Sequence, residues 1–187
     1  SSGEARVCGF TVGWQNTHIR PLIGYVPDFL GAYDDMLVRE YLQFFASCYG
    51  ITGSRRTQVV DDALSLTDLG GKAEAPISGL SRGMSQRLAV ARVLLHDPEV
   101  LLLDEPASGL DPRARVEMRE LLRTLRDLGK TILISSHILH ELAELCTSVG
   151  ILERGKLVFA GSVQSALDAA RSGTRLECEL DGGMDAA

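Results

Sequence analysis

Apolar residues along this 187-residue chain fall at two spacings, and the switches between them mark out its elements. Short apolar runs bounded by turn residues read as strands, and apolar positions three and four apart read as helices. Val7–Val12 and Leu22–Val26 read as strands, the second ending at Pro27-Asp28. From Tyr33 the spacing changes. Asp34 or Asp35 stands where a helix cap is wanted, and Val38, Tyr41, Leu42, Phe45 and Tyr49 share one face before Gly50 stops the helix. A second helix, Ser54–Leu66, groups Val59, Val60, Ala63 and Leu64. The aromatics between Tyr25 and Tyr49 are expected mostly to fill the core of this helical layer. Gly79–Met84 then reads as a loop, and Ser85–Leu95 as a helix that stops before Asp97-Pro98.

The next run, Val100–Leu103, is four apolar residues long and predicts a strand buried on both faces. Asp111-Pro112 is a strong helix start, a capping carboxylate followed by proline, and that helix runs to Leu128 with Gly129 behind it. Thr131–Ser135 reads as strand, Ile138–Leu145 as helix and Val149–Leu152 as strand. Arg154-Gly155 turns the chain into Leu157–Ala160, and Ser162 opens another helix. An apparent strand precedes the tail Asp181–Ala187. Strands alternating with helices predict an α/β fold with a largely parallel sheet and a helical insertion.

The apolar run ends in Asp104 and Glu105, two adjacent carboxylates followed by Pro106. Open α/β sheets place ligands at the carboxyl ends of their strands, and neighbouring side chains of an extended chain point apart. One acid can hold a Mg²⁺ ion, which favours carboxylate and phosphate oxygens, while the other polarises a water. A strand end followed by an acidic loop needs no such role. The decision rests on what surrounds the pair: Leu80-Ser81-Arg82-Gly83-Met84 upstream, Ser108-Gly109-Leu110-Asp111 just beyond, and Ser135-Ser136-His137 later.

In this order the segments resemble the ATP-binding subunits of ABC transporters, over roughly Gly9 to Leu180. Leu80 to Met84 is similar to the family's signature loop, Val100 to Glu105 to its Walker B strand, Ser108 to Asp111 to its D-loop, and His137 to its switch histidine. The resemblance implies a P-loop NTPase-like ABC ATPase core, present in part, with an inserted helical subdomain. It would assign residues 1–30 and 86–180 to the α/β core and 31–85 to the subdomain. ATP would bind between two such domains, head to tail. Asp104 would hold Mg²⁺, Glu105 would act as general base, and His137 would orient the attacking water. Leu80, Ser81, Arg82, Gly83, Met84 and Asp111 would face nucleotide across the dimer. Ser81-Arg82-Gly83 also has physical sense of its own, since a loop entering a helix favours an anion.

Two residues depart from the family pattern. Arg82 stands where glycine is usual, and its charge could reach phosphate. Asp28 follows the Tyr25-Val26-Pro27 phrase where glutamine is usual, and a carboxylate there is expected to keep a Mg²⁺ contact. A larger gap is the phosphate loop G-x-x-x-x-G-K-[ST], which is nowhere in the chain. Gly129-Lys130-Thr131 has Thr124 at the first glycine position, Gly150 to Lys156 continues into Leu157, and Gly71-Lys72 into Ala73. Relatives carry a phrase like Gly3 to Gly9 shortly after that loop. The expectation is therefore a fragment beginning downstream of the loop, inactive alone, with a degenerate relative as the alternative.

Net charge −6 and the lack of a dense basic cluster argue against a nucleic-acid partner. No apolar run approaches the ~18 residues that span a bilayer. Cys8, Cys48, Cys146 and Cys178 are scattered and read as reduced cytosolic thiols. The resemblance implies a cytoplasmic subunit held at the inner face of the membrane by a permease, and a second ATPase domain as partner. Bacterial exporters with separate permeases fit best, from Gly24 to Tyr49, Arg82, Met84, and Ser136 to Leu142. A ribosome- or DNA-associated ABC ATPase and a non-catalytic regulatory subunit are the rival readings.

Overall fold

The computed structural model describes residues 3–28, 31, 35–138 and 144–171 and divides into two compact units, Ser1–His137 and Ile138–Ala187. The first unit opens with a hairpin, β1 (Arg6–Val7) and β2 (Phe10–Thr11), where the patterning predicts one strand. Cys8 and Gly9 both have positive φ, 48° and 83°, the signature of a two-residue type I′ turn that matches strand twist. A one-turn helix α1 (Asn16–Ile19) and a 3₁₀ turn lead into β3 (Ile23–Val26).

β3, β4 (Val100–Asp104) and β5 (Thr131–Ser135) form a parallel sheet in that order, the alternation-based prediction realised. Leu101 and Leu103 are buried, while Leu102 is only half-buried, so burial on both faces is not what this unit builds. In the register Tyr25, Leu102 and Leu133 lie side by side, and Tyr25 and Leu133 are 53% and 66% exposed. The covered face carries Val26 and Leu103, aligned in the same register.

Helix α4 (Arg82–Leu94) contacts β3, α2 (Val38–Cys48), α3 (Gly53–Leu66) and α5 (Pro112–Asp127). Its run Leu88–Ala91 is wholly buried, as a helix covered all round must be. Arg87, the residue before that run, reaches out to Asp68 at 3.1 Å and Glu117 at 3.4 Å. Helix α2 starts at Val38, later than a cap at Asp35 predicts. Its first turn is closed by Glu40 Oε2, which accepts the Leu37 N–H at 3.1 Å. Of the aromatics expected in this core, Tyr41 is buried and meets Phe45 edge-on at 4.8 Å, but Phe44 and Tyr49 are 49% and 42% exposed.

The second unit is an antiparallel ribbon, β6 (Ser148–Glu153) and β7 (Lys156–Ser162), followed by α6 (Val163–Arg171). Arg154 and Gly155 form its two-residue turn, both at positive φ. Ser162 Oγ accepts the Ser165 N–H at 3.1 Å, so the helix start read at Ser162 is a true cap. The helix expected over Ile138–Leu145 and the strand before the tail lie mainly outside the described residues. Among those described, no helix is long and apolar enough to cross a membrane.

Candidate functional site

Parallel pairing sets Asp104 beside Ser135, so β4 and β5 deliver their terminal polar residues together. Ser135 Oγ donates to Asp104 Oδ1 at 2.6 Å. The Glu105 N–H donates to Ser135 O at 3.1 Å and to Ser135 Oγ at 3.2 Å. One hydroxyl thus ties the Asp104 side chain to the Glu105 backbone. Glu105 itself has φ 49°, a conformation that costs a non-glycine residue about 1–3 kcal/mol and persists only where neighbours hold it. The two bonds to Ser135 are such a hold.

The strained turn separates the acids by role. Asp104 stays in sheet register, while the Glu105 carboxylate meets His137, whose Nδ1 is 3.0 Å from both Oε1 and Oε2. Glu105's side chain is 27% exposed and His137's is 69% exposed, so water reaches the pair. A carboxylate braced by an imidazole and open to water is competent to accept a proton.

The predicted signature loop is shorter than its motif. Leu80 is extended and Ser81 is the N-cap of α4, its Oγ accepting the Met84 N–H at 3.3 Å. Arg82, Gly83 and Met84 therefore form the helix's first turn, a correction to the loop predicted through Met84. Capping explains it: once Ser81 accepts from Met84, the three residues after it are helical by definition of the cap. Gly83 is required by packing, because a Cβ there would stand 2.7 Å from Ala114 Cβ. Asp111 caps α5 in the same manner, Oδ2 accepting the Ala114 N–H at 3.4 Å. Arg82 and Asp28, the two departures from the family pattern, face each other, with Nη2 to Oδ1 at 3.5 Å.

Two groups thus form within the first unit. Asp104, Glu105, Ser135 and His137 gather at the strand ends, and Asp28, Ser81, Arg82, Gly83 and Asp111 surround the starts of α4 and α5. The loop from Glu105 to Asp111 joins them. Ser135 is the residue that motif reading passes over. The signal for it is the pair of equal-length strands, whose parallel register puts a hydroxyl opposite Asp104.

Asp104 offers hard oxygen donors, and the described residues hold no cluster of three or more His, Cys, Asp or Glu able to cage an ion. That donor set fits Mg²⁺, which keeps water and substrate phosphate as most of its ligands and takes one or two carboxylates from protein. It does not fit a structural zinc site.

A family model described as "ABC transporter" matches residues 2–108. The chain is 39% identical over 168 residues to Nod factor export ATP-binding protein I of Burkholderia pseudomallei strain 1710b, covering 90% of this chain and 55% of that protein. Against the protein of the same name from Rhizobium sp. strain N33 it is 36% identical over 167 residues, 89% of this chain and 55% of that one. The chain spans about half the length of these relatives. Among solved structures, cbiO1 from Clostridium perfringens, described as part of the ABC transporter complex cbiONQ, superposes with TM-score 0.82 at 27% identity. That match covers 91% of this chain and 70% of cbiO1. The parallel α/β core is accordingly that of an ABC ATPase, of the P-loop NTPase type, and this chain belongs to the ABC transporter family.

Proposed function

We propose that this chain is part of an ATP-binding, ATP-hydrolysing subunit that energises an ABC transporter, working in export. The observation that carries the reading is the contact of His137 Nδ1 with both oxygens of Glu105, next to Asp104 on the same strand end. Glu105 takes the proton of the attacking water as general base, and His137 keeps its carboxylate oriented. Asp104 would hold Mg²⁺, which when bound shields phosphate charge. Ser81, Gly83 and Asp111, with Leu80 and Met84 beside them, serve a nucleotide held by a second ATPase domain. The N-terminus of α4 supports that role, since it presents backbone N–H groups and a positive dipole end.

The domain reading keeps residues 1–30 and 86–180 as core and 31–85 as the helical subdomain, which docks on a membrane permease. Exposed Phe44 on α2 and Tyr49 at its C-cap support such docking. The protein would then be cytoplasmic and peripheral at the inner face of the membrane. The names of the relatives support export as the direction.

With no G-x-x-x-x-G-K-[ST] segment, these 187 residues lack the backbone cradle and lysine that bind most of a nucleotide's phosphate charge. By themselves they bind MgATP weakly and turn over essentially none. Calorimetric titration of this chain with MgATP, beside an ATPase assay of the native gene product with and without Glu105→Gln, tests both statements. Tight binding by this chain, or unchanged turnover in Glu105→Gln, overturns the reading.

A further inference from the structure

The Arg82 guanidinium is used within the chain. Its Nη2 faces Asp28 Oδ1 at 3.5 Å. The group also lies against Gly109: a Cβ built there would meet Arg82 Cζ at 2.7 Å, Nη1 at 2.9 Å and Nε at 3.0 Å. Three guanidinium atoms at nearly equal distance from one point mean that its flat face rests on the Gly109 backbone. Gly109 has φ +65°, so both the backbone conformation and the seat demand glycine. One side chain thus bridges the segment after β3, the first turn of α4 and the loop between β4 and α5. That loop carries Glu105 at one end and Asp111 at the other.

We infer that Arg82 is a positioning residue, with Asp28 as its counter-ion and Gly109 as its seat, that fixes the β4–α5 loop against the start of α4. As an exposed ion pair the Asp28 contact is weak alone, both side chains being more than half exposed. The planar fork makes the difference, since its orientation is set by Asp28 while its face packs on backbone. The close approach of Gly83 to Ala114 pins the same helix start against α5. Between them, the two contacts hold Ser81 in fixed relation to Glu105 and Asp111. Asp28 is thereby engaged by an arginine, and a metal contact at that carboxylate would have to displace it. The inference deepens the proposed hydrolytic reading and rests on it only for its effect on turnover.

Amide hydrogen exchange in the nucleotide-free native gene product tests it without requiring activity. The Ser108 and Leu110 amides bond to Glu105 O at 3.0 Å and Ala107 O at 3.4 Å and report on the loop directly. Arg82→Ala is expected to speed their exchange about tenfold, Asp28→Asn less, and the double variant no more than Arg82→Ala, because coupled residues are not additive. Gly109→Ala, which removes the seat, is expected to speed the same amides. Arg82→Lys, retaining charge without the flat fork, is expected to fall between wild type and Arg82→Ala. Unchanged Ser108 and Leu110 exchange in Arg82→Ala, or additive effects of the two single variants, overturns the inference. Arg82→Lys and Asp28→Asn are mild surface changes that keep the test available if Arg82→Ala does not fold. A loop that responds in a protein without ATPase activity defeats the hydrolytic reading and leaves this one standing. An active protein whose loop does not respond defeats this one alone.

Discussion

His137 Nδ1 lies 3.0 Å from each carboxylate oxygen of Glu105, although the two residues are 32 positions apart. Parallel pairing of β4 with β5 brings their ends together, and the left-handed turn at Glu105 aims its side chain across. In the native gene product, Glu105→Gln is expected to lower ATP turnover by about 10²–10⁴-fold, since the amide keeps the shape and loses the base. Nucleotide affinity should be retained. A filter-binding assay beside steady-state kinetics separates the two effects.

Ser135 deserves the same treatment, as a positioning residue. Ser135→Ala removes the 2.6 Å bond to Asp104 and one acceptor of the Glu105 N–H. A hydrogen bond to a charged group contributes about 1.5–3 kcal/mol, so a loss of roughly 10- to 100-fold in kcat is expected. Ser135→Thr, which keeps the hydroxyl, should recover most of it. Equal kcat loss in both variants would assign the effect to packing instead.

Gly83→Ala should destabilise the fold. The added methyl would stand 2.7 Å from Ala114 Cβ, between two helix starts that are each held by a cap. Overpacking of this kind costs about 1–3 kcal/mol. Removing the opposing methyl with Ala114→Gly should recover part of that loss, read as the urea midpoint of the double variant against each single one.

Stability should fall on the acid side through His96. Its Nε2 is 3.1 Å from Ile23 O and must donate to it, which leaves Nδ1 as the unprotonated nitrogen, buried and without a hydrogen-bond partner among the described residues. Burial holds this imidazole's pKa below its ordinary value. The unfolded chain therefore binds the proton first, so the contribution is fully present above about pH 6.5 and is lost as pH falls through the folded pKa. Urea midpoints measured from pH 8 to pH 5 should decline in wild type and be flatter in His96→Gln.

Much of the molecule can be read from spacing because local chemistry decides it. Asp111-Pro112 and Ser162 start helices through caps that need only their own next three residues. The four apolar residues before Asp104 make a strand in any context that buries them, and the order of motifs identifies the family. The reading shifts where a local turn or cap carries a weak sequence signal, or where distant segments supply the burial. Val7–Val12 becomes a hairpin because Cys8, not a residue that favours positive φ, joins Gly9 in the turn. Ser81 draws Arg82 to Met84 into a helix, and Val100–Leu103 is buried on one face because burial depends on layers contributed by distant segments.

The sequence alone determined which chemistry is available: two carboxylates at a strand end, a histidine after another strand, and capped helix starts. Only the tertiary structure decided the partners. Glu105 with His137, Asp104 with Ser135 and Asp28 with Arg82 are joined across 32, 31 and 54 residues. Their pairing follows from strand register and helix packing, whose energies arise when separate segments meet and which no local window of the chain contains.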